Sequence, residues 1–507
     1  MTDAAGPAPI EPNPAPVSQP LAAAIEPLTK GYRRYALGML LVIYTLNFLD
    51  RQIVNILAED IKRDLHLADW QLGMMTGFAF AIFYTVLGIP IARFAEKSNR
   101  PAIIAGSVAV WSVFTVLCGY AQSFWSMVLL RIGVGIGEAG CTPPSHSLIT
   151  DYVPREKRAS AIAFYSIGTP LGTLIGLAMG GLIADAYGWR AAFLVAGAPG
   201  VLFAILAFFT LPEPRKKLKA DLAARAAAPA ISFGAALTVL MAKKTFWLIA
   251  FAAAIKAFIG YGHAPFTASF FFRSHGPQLV ELAAWLSDIL STLISLLPFV
   301  HVDFELGVRG FLGLALSAVG GTAGVFGAWL GGYIADKLGA RDLRAYVVVP
   351  AIASLVTIPI YIAGILIGDA GAAVLILAIP AVLGTLWYGP VYATAQSIVE
   401  PHMRATCAAI LLFIINLIGL GLGPLAVGIM SDVIAAMTFA PSGLGDFGSA
   451  CPGGIAPKGS AVALMQACAG ASTDGVRWAL ILSTALGLVA FALFWQARKT
   501  IREEMVS

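Results

Sequence analysis

Twelve times along this chain a run of apolar residues is long enough to cross a bilayer, and that repetition leaves few folds open to it. A spanning helix needs about 20 apolar residues. Such runs lie near 36–58, 70–92, 101–121, 124–149, 160–183 and 190–210, then near 246–272, 310–335, 344–367, 372–398, 404–434 and 476–497. Composition agrees: 58% of the 507 residues are hydrophobic and only 12% are charged, with a mean hydropathy of +0.81. A soluble surface takes about 25% charge, so most of this exterior faces something other than water.

A net charge of +5, from 33 Lys and Arg against 28 Asp and Glu, invites a nucleic-acid reading. The placement of the bases argues against it. Twenty-three sit in tails and loops on one side, at 30–34, 93–100, 155–158, 215–244, 337–344, Arg404 and 498–502. Seven fall on the other side (Lys62, Arg63, Arg190, Arg273, Arg309, Lys458, Arg477), and Arg51, Arg131 and Lys256 lie inside spans. The excess of bases marks the cytoplasmic side, so both termini and the central loop are expected there, in an integral protein of the cytoplasmic (inner) membrane. The Pro- and Ala-rich residues 1–32 read as a disordered tail, because they lack the ordered regions of a signal peptide.

The chain repeats itself. Ala92-Arg93-Phe94-Ala95-Glu96-Lys97-Ser98-Asn99-Arg100 follows the second span, and Gly332-Tyr333-Ile334-Ala335-Asp336-Lys337-Leu338-Gly339-Ala340-Arg341 follows the eighth. Gly181-Leu182-Ile183-Ala184-Asp185 is matched by Gly428-Ile429-Met430-Ser431-Asp432, and Pro154 with Arg158-Ala159 by Pro401 with Arg404-Ala405. Three correspondences in order define a duplicated six-helix unit: 33–210, a cytoplasmic linker over 211–245, and 246–507. Parallel halves about a membrane-normal axis are the layout of the major facilitator superfamily.

The acid–base loop resembles that superfamily's loop motif, complete in the second half and degraded in the first, where Glu96 stands for Asp and Asn99 for glycine. Gly135-Ile136-Gly137-Glu138-Ala139 with Pro144, Leu148-Ile149 and Asp151, together with Asn47-Phe48-Leu49-Asp50-Arg51, resembles the spinster family of lipid transporters. The resemblance implies twelve transmembrane helices in an all-α fold. It also implies an amphipathic substrate such as a lysophospholipid or a phosphorylated sphingoid base. The apolar segment 278–300 would invert everything after it if it crossed the membrane, putting Lys337, Arg341 and Arg344 on the wrong side. It is therefore expected as an extra extracellular helix between the seventh and eighth spans.

Enzyme signatures fail. There is no G-x-x-x-x-G-K-[ST] phosphate loop, no H-E-x-x-H pair and no G-x-S-x-G turn. One G-x-G-x-x-G match, at Gly135, Gly137 and Gly140, sits inside a membrane helix where a dinucleotide site would need a preceding strand. No cofactor, metal or nucleic-acid partner is called for, and monomer is the default. Helical geometry gives these glycines another use. At 100° per residue, Gly133, Gly137 and Gly140 form one face of the fourth span, fit for close helix packing. Arg131 and Glu138 point the opposite way. Charges inside hydrocarbon usually line a cavity and serve function.

Asp50 and Arg131 both fall in the outer half of the bundle, so an Asp50–Arg131 pair is sterically reasonable. With Glu138 they are the expected proton-coupling set, an assignment the spinster resemblance also implies. Arg131, Glu138, Arg51 and Lys256 are the substrate-binding candidates. Arg51 either takes a direct role or reaches toward the outer interface or a neighbouring helix. Lys256 shares a face with His263, and a snorkelling or backbone-bonded lysine competes with a ligand role. Glu96, Arg100, Asp336, Arg341, Arg158 and Arg404 are candidate cytoplasmic gates. Cys451 and Cys468, on the oxidising side around a Gly- and Pro-rich loop, are expected to form a disulfide. The expected partners are an amphipathic lipid substrate, protons and membrane lipids. A same-fold carrier of a small organic anion or a drug is the alternative.

Overall fold

A computed structural model describes residues 29–154, 157–214, 233–295, 305–400 and 403–505. Among them there are helices and no strands. Residues 1–28 of the expected tail, 215–232 of the linker and 296–304 lie outside the described residues. Eleven helical stretches are long and apolar enough to cross a membrane. They are α1 (Lys30–Asp64), α2 (Asp69–Ala95), α3 (Arg100–Cys118), α4 (Phe124–Tyr152), the joined stretch Ser160–Thr210, then Lys244–Leu293, α8 (Val308–Gly339), α9 (Ala345–Leu366), α10 (Ala370–Ser397), α11 (Thr406–Ser442) and α12 (Val462–Ala497).

Two of these stretches are composite. Ser160–Thr210 has 51 residues, about 76 Å at 1.5 Å per residue, which is far more than the ~30 Å hydrocarbon layer. Gly188 breaks it with φ 82°, a backbone angle open to glycine, leaving α5 (160–187) and α6 (189–210). Counted this way, the helices make six plus six. Lys244–Leu293 bends at His275, just before Pro277. It divides into α7 (244–274) and an arm (276–295) that buries Leu279 and Ala283. The Gln278 side chain ties the arm to the α9–α10 turn, donating to Gly368 O (2.8 Å) and accepting from Ala370 N (2.6 Å).

Local chemistry sets several other features. Asn99 caps α3 with Pro101 in its first turn. Ser123 caps α4. α4 breaks between Ala139 and Thr142, where Pro143 and Pro144 remove two backbone donors. α10 breaks at the matching place, between Leu383 and Tyr388. The glycine face of α4 meets α3: a Cβ on Gly137 would lie 2.5 Å from Trp111 N, and one on Gly133 would run into the Phe114 ring.

The halves meet along α2–α11 and α5–α8, and glycine decides how closely. A side chain on Gly181 would strike the carbonyl of Arg309, and one on Gly313 the carbonyl of Leu177. Across the pseudo-twofold, Gly428 faces the carbonyl of Asp69 and Gly73 that of Pro424. Two π-helical segments, Met74–Phe78 in α2 and Asn416–Leu422 in α11, adjoin this second crossing. These contacts lie at the ends of the helices opposite both chain termini, hereafter the closed face. Gly181→Leu or Gly428→Leu should separate the halves there. Spin labels at the exposed Tyr187 and Met437 are expected to report a longer distance in either variant than in the parent protein.

Candidate functional site

The first half carries a buried polar cluster built by α1, α3 and α4. α1 contributes Asn47, Asp50 and Arg51, within a single turn. Asp50 and Arg51 are about 100° apart on that helix, so their side chains diverge. Asp50 Oδ2 accepts from Thr115 Oγ1 of α3 at 2.5 Å. Arg51 turns toward α2 and α4, donating from Nε to Glu138 Oε2 at 2.6 Å. Its guanidinium lies 4.4 Å from the ring centre of Tyr84, 4.9 Å from that of Phe80 and 5.1 Å from that of Phe48.

Asp50 and Arg131 interact electrostatically without a direct hydrogen-bonded ion pair, and the arginine bonded to Glu138 is Arg51. Arg131 lies seven residues, or two turns, before Glu138 on α4, while Arg51 projects directly at the carboxylate. Arg131 stays buried, 5.3 Å from the Phe80 ring centre. Its Nε and Nη1 have no protein partner, nor do Asp50 Oδ1, Glu138 Oε1 or either side-chain polar atom of Asn47. Buried polar atoms are nearly always paired, so six unpaired ones in one cluster mark a place built for more than packing.

Tyrosines that sequence reading did not single out surround Arg51. Tyr44 and Tyr84 come from the first half, Tyr261 and Tyr392 from the second, and all interact electrostatically with Arg51 or with one another. Each is partly exposed, and together they bring both halves around Arg51. Lys256 is buried in α7 and makes no hydrogen bond to the described residues. His263, on the same face of α7, bonds Ser483 of α12 (2.8 Å) and stacks on Tyr361 of α9 at 4.7 Å. That face therefore looks into the second bundle.

At the face of the termini, the expected gating residues pair within their own halves. Arg100 binds Asp151 (2.7 Å), Ser147 (2.9 Å) and Glu213. Asp336 accepts from the Tyr346 hydroxyl at 2.7 Å. Arg404 reaches Gln396 O at 3.2 Å, Arg158 reaches Val153 O at 3.4 Å, and Arg341 is exposed. The Glu96 side chain lies outside the described residues.

The closed face holds what sequence reading missed. Among the described residues, every ion pair between the halves is here. Arg273 of α7 binds Glu59 of α1 and Asp69 of α2, each at 2.8 Å. Lys62 and Ser431 complete the shell of Asp69, at 2.5 and 2.6 Å. Asp432 accepts the backbone N–H groups of Asp69 (3.0 Å) and Trp70 (2.7 Å) at the start of α2. Asp185 does the same for Arg309 (3.2 Å) and Gly310 (2.6 Å) at the start of α8. Each aspartate thus caps a helix of the other half, where unpaired N–H groups and the helix dipole favour an anion. The repeated Gly-x-x-x-Asp segments hinted at this, but only as a mark of duplication. Beside them, Cys451 and Cys468 form a disulfide.

The Major Facilitator Superfamily model matches residues 40–424. An MFS-type efflux pump of Mycolicibacterium smegmatis is 34% identical over 78% of this chain and 84% of its own. Protein spinster homolog 3 of Danio rerio is 25% identical over 79% of this chain and 77% of its own. Among solved structures, a bacterial homologue of the human lysosomal transporter Spinster, inward-facing and unoccupied, superposes with a TM-score of 0.78. It is 31% identical and covers 95% of this chain and all of its own. The repeat, the helix arrangement and these matches agree: the chain belongs to the Major Facilitator Superfamily, and among solved structures it resembles a bacterial spinster homologue.

Proposed function

We propose that this transporter is a proton-coupled secondary carrier of an amphipathic, lipid-like anion of the lysophospholipid or sphingosine-1-phosphate kind, working by alternating access. The observation that carries the reading is the polar cluster, where Asp50, Glu138 and Arg131 are buried beside a half-buried Arg51 and Arg131 keeps two donors free of protein partners. A guanidinium is suited to phosphate. Aromatic rings of both halves surround the neighbouring Arg51, which suits an amphipathic rather than a purely polar substrate. The excess of bases at the terminal face supports a cytoplasmic position for it; on this reading the closed face is extracellular and the described state is the inward-open one.

On this reading the proton is carried by Asp50 or Glu138. A buried carboxylate's affinity for a proton depends on its burial and on the arginines beside it. Rocking the halves changes both, since Arg51 interacts with Tyr261 of the second half. Arg131 exchanges its partners between the carboxylates and the substrate's anionic group. Arg51 and Lys256 remain substrate-binding candidates of different standing. Arg51 lies among tyrosines of both halves, whereas the face of α7 carrying Lys256 looks into the second bundle.

A second reading, export of a drug or a small organic anion by the same fold, draws on the efflux-pump relative. Fold alone does not separate the two. Uptake and efflux of labelled lysophospholipids, phosphorylated sphingoid bases, organic anions and drugs by proteoliposomes, with and without a pH gradient, distinguishes them.

Asp50→Asn is expected to bind substrate yet lose pH-driven transport, while Glu138→Gln weakens both by stranding Arg51 without its carboxylate. Normal pH-driven transport by Asp50→Asn in proteoliposomes contradicts the mechanism. At the cytoplasmic face, Asp336 is proposed to pair across the halves when that side closes. Asp336→Asn should shift the inward–outward balance by about 1–3 kcal/mol, roughly 5–150-fold. An unchanged distance distribution between the halves would remove that role.

A further inference from the structure

The loop between α11 and α12 belongs to the second half but sits on the first. Its own core packs Phe447 and Cys451 against Ala435 and Phe439 of α11 and Cys468 and Ala471 of α12. Phe439 and Phe447 meet with ring centres 5.6 Å apart. The Cys451–Cys468 disulfide closes this segment. From that anchor, Gly453 and Gly454 turn with φ of 69° and 78°, in the left-handed region that favours glycine.

The turn is seated on the α1–α2 connection. A Cβ on Gly453 would lie 3.1 Å from His66 Cα, and one on Gly454 would lie 3.2 Å from Lys62 Nζ and 2.7 Å from Ser472 Oγ. His66 has a φ of 53°, and no other non-glycine residue among those described has a positive φ. Lys62 is buried beneath this turn with its ammonium on Asp69. Beside it a cavity of about 260 Å³ is walled by Glu59, Arg63 and Arg273 on one side and by Gly454, Ile455 and Met465 on the other.

We propose that the disulfide-closed loop is an extracellular latch, carried by the second half and seated on the first, that holds the closed face shut. Its physical effect is to keep water from the Lys62–Asp69 pair beneath the turn, where a low-dielectric setting makes an ion pair far stronger than in water. Without a fixed Gly453–Gly454 turn, Lys62 hydrates, Asp69 loses part of its shell, and the cap that Asp432 places on α2 loosens. The disulfide matters because it joins the turn to α12, so the seat moves only when the second half moves. The latch rests on the alternating-access reading only in naming the closed face a gate. It makes no use of the substrate or of proton coupling.

Amide hydrogen exchange of the full-length protein in lipid nanodiscs tests the contact directly, at the Asp69 and Trp70 amides bonded to Asp432. Cys118, Cys141 and Cys407 are buried free thiols, so dithiothreitol acts on the single disulfide among the described residues. Full reduction, checked by thiol counting, is expected to speed exchange at both amides at least about fivefold, the low end of a typical two-state coupling. Gly454→Val keeps the disulfide but displaces the turn, and should do the same. Faster exchange confined to the loop, with Asp69 and Trp70 unchanged in the fully reduced protein, overturns the latch. Failure of the unreduced parent protein to carry any of the lipid anions, with the exchange result intact, would instead count against the substrate reading.

Discussion

Arg273 carries the contact on which the closed state rests. Its side chain is only 5% exposed, and both of its carboxylate partners belong to the opposite half. Nε and Nη2 bind Glu59, Nη1 and Nη2 bind Asp69, and Nη1 also reaches Ser472 O at 3.3 Å. Breaking one member out of a buried ion cluster costs about 3–5 kcal/mol, because the survivor stays charged and dry. A network like this is therefore not a general stabiliser. It holds one arrangement of the halves, and it can be released only if its members are hydrated or paired anew as the helices part.

Such a network needs the backbones to come close, and small residues allow it. The bare Cα atoms of Gly181, Gly313, Gly73 and Gly428 let α5 meet α8 and α2 meet α11 at carbonyl distance. At that separation Asp185 and Asp432 reach the first amides of α8 and α2. The two caps are related by the internal repeat, so one duplicated device closes both seams. The ion pairs do not follow the symmetry. Arg273, Glu59, Lys62 and Asp69 gather on the α1–α2–α7 side, while Arg309 and Asp60 make a smaller pair on the other, 2.7 Å apart.

Much of this was legible in the sequence because it is local or periodic. Apolar run length set the helices, the repeated loops set the duplication, and 100° geometry separated the packing face of α4 from its charged face. The partners were not legible. The spacing of Arg131 and Glu138 puts them on one face, but only the placement of α1 beside α4 shows that Arg51 takes Glu138. The aromatic ring of Tyr44, Tyr84, Tyr261 and Tyr392 draws on four helices in two halves, which no single-helix pattern contains. Arg273 counted in sequence as one of seven bases beyond the spans, yet the structure buries it against carboxylates 204 and 214 positions away. Long-range pairing of this sort leaves no periodic trace.

The buried cluster of the first half is balanced in formal charge: Asp50 and Glu138 against Arg51 and Arg131. In a low-dielectric setting an imbalance of one charge is costly, so neutrality limits how the cluster can be loaded. On the proposed function, one proton on either carboxylate leaves one positive charge unmatched, and an anionic head group at Arg131 restores the balance. An anion arriving without a proton leaves the cluster one charge negative. The two ligands thus favour each other in the same state, and the coupling is cooperative by electrostatics alone, with no need for them to touch. Lys256 does not enter this balance, because the face of α7 that carries it looks away from the cluster. On the proposed function, the unequal sharing of charge between the halves gives them different work, the first holding the proton and the polar group and the second supplying the moving apolar wall.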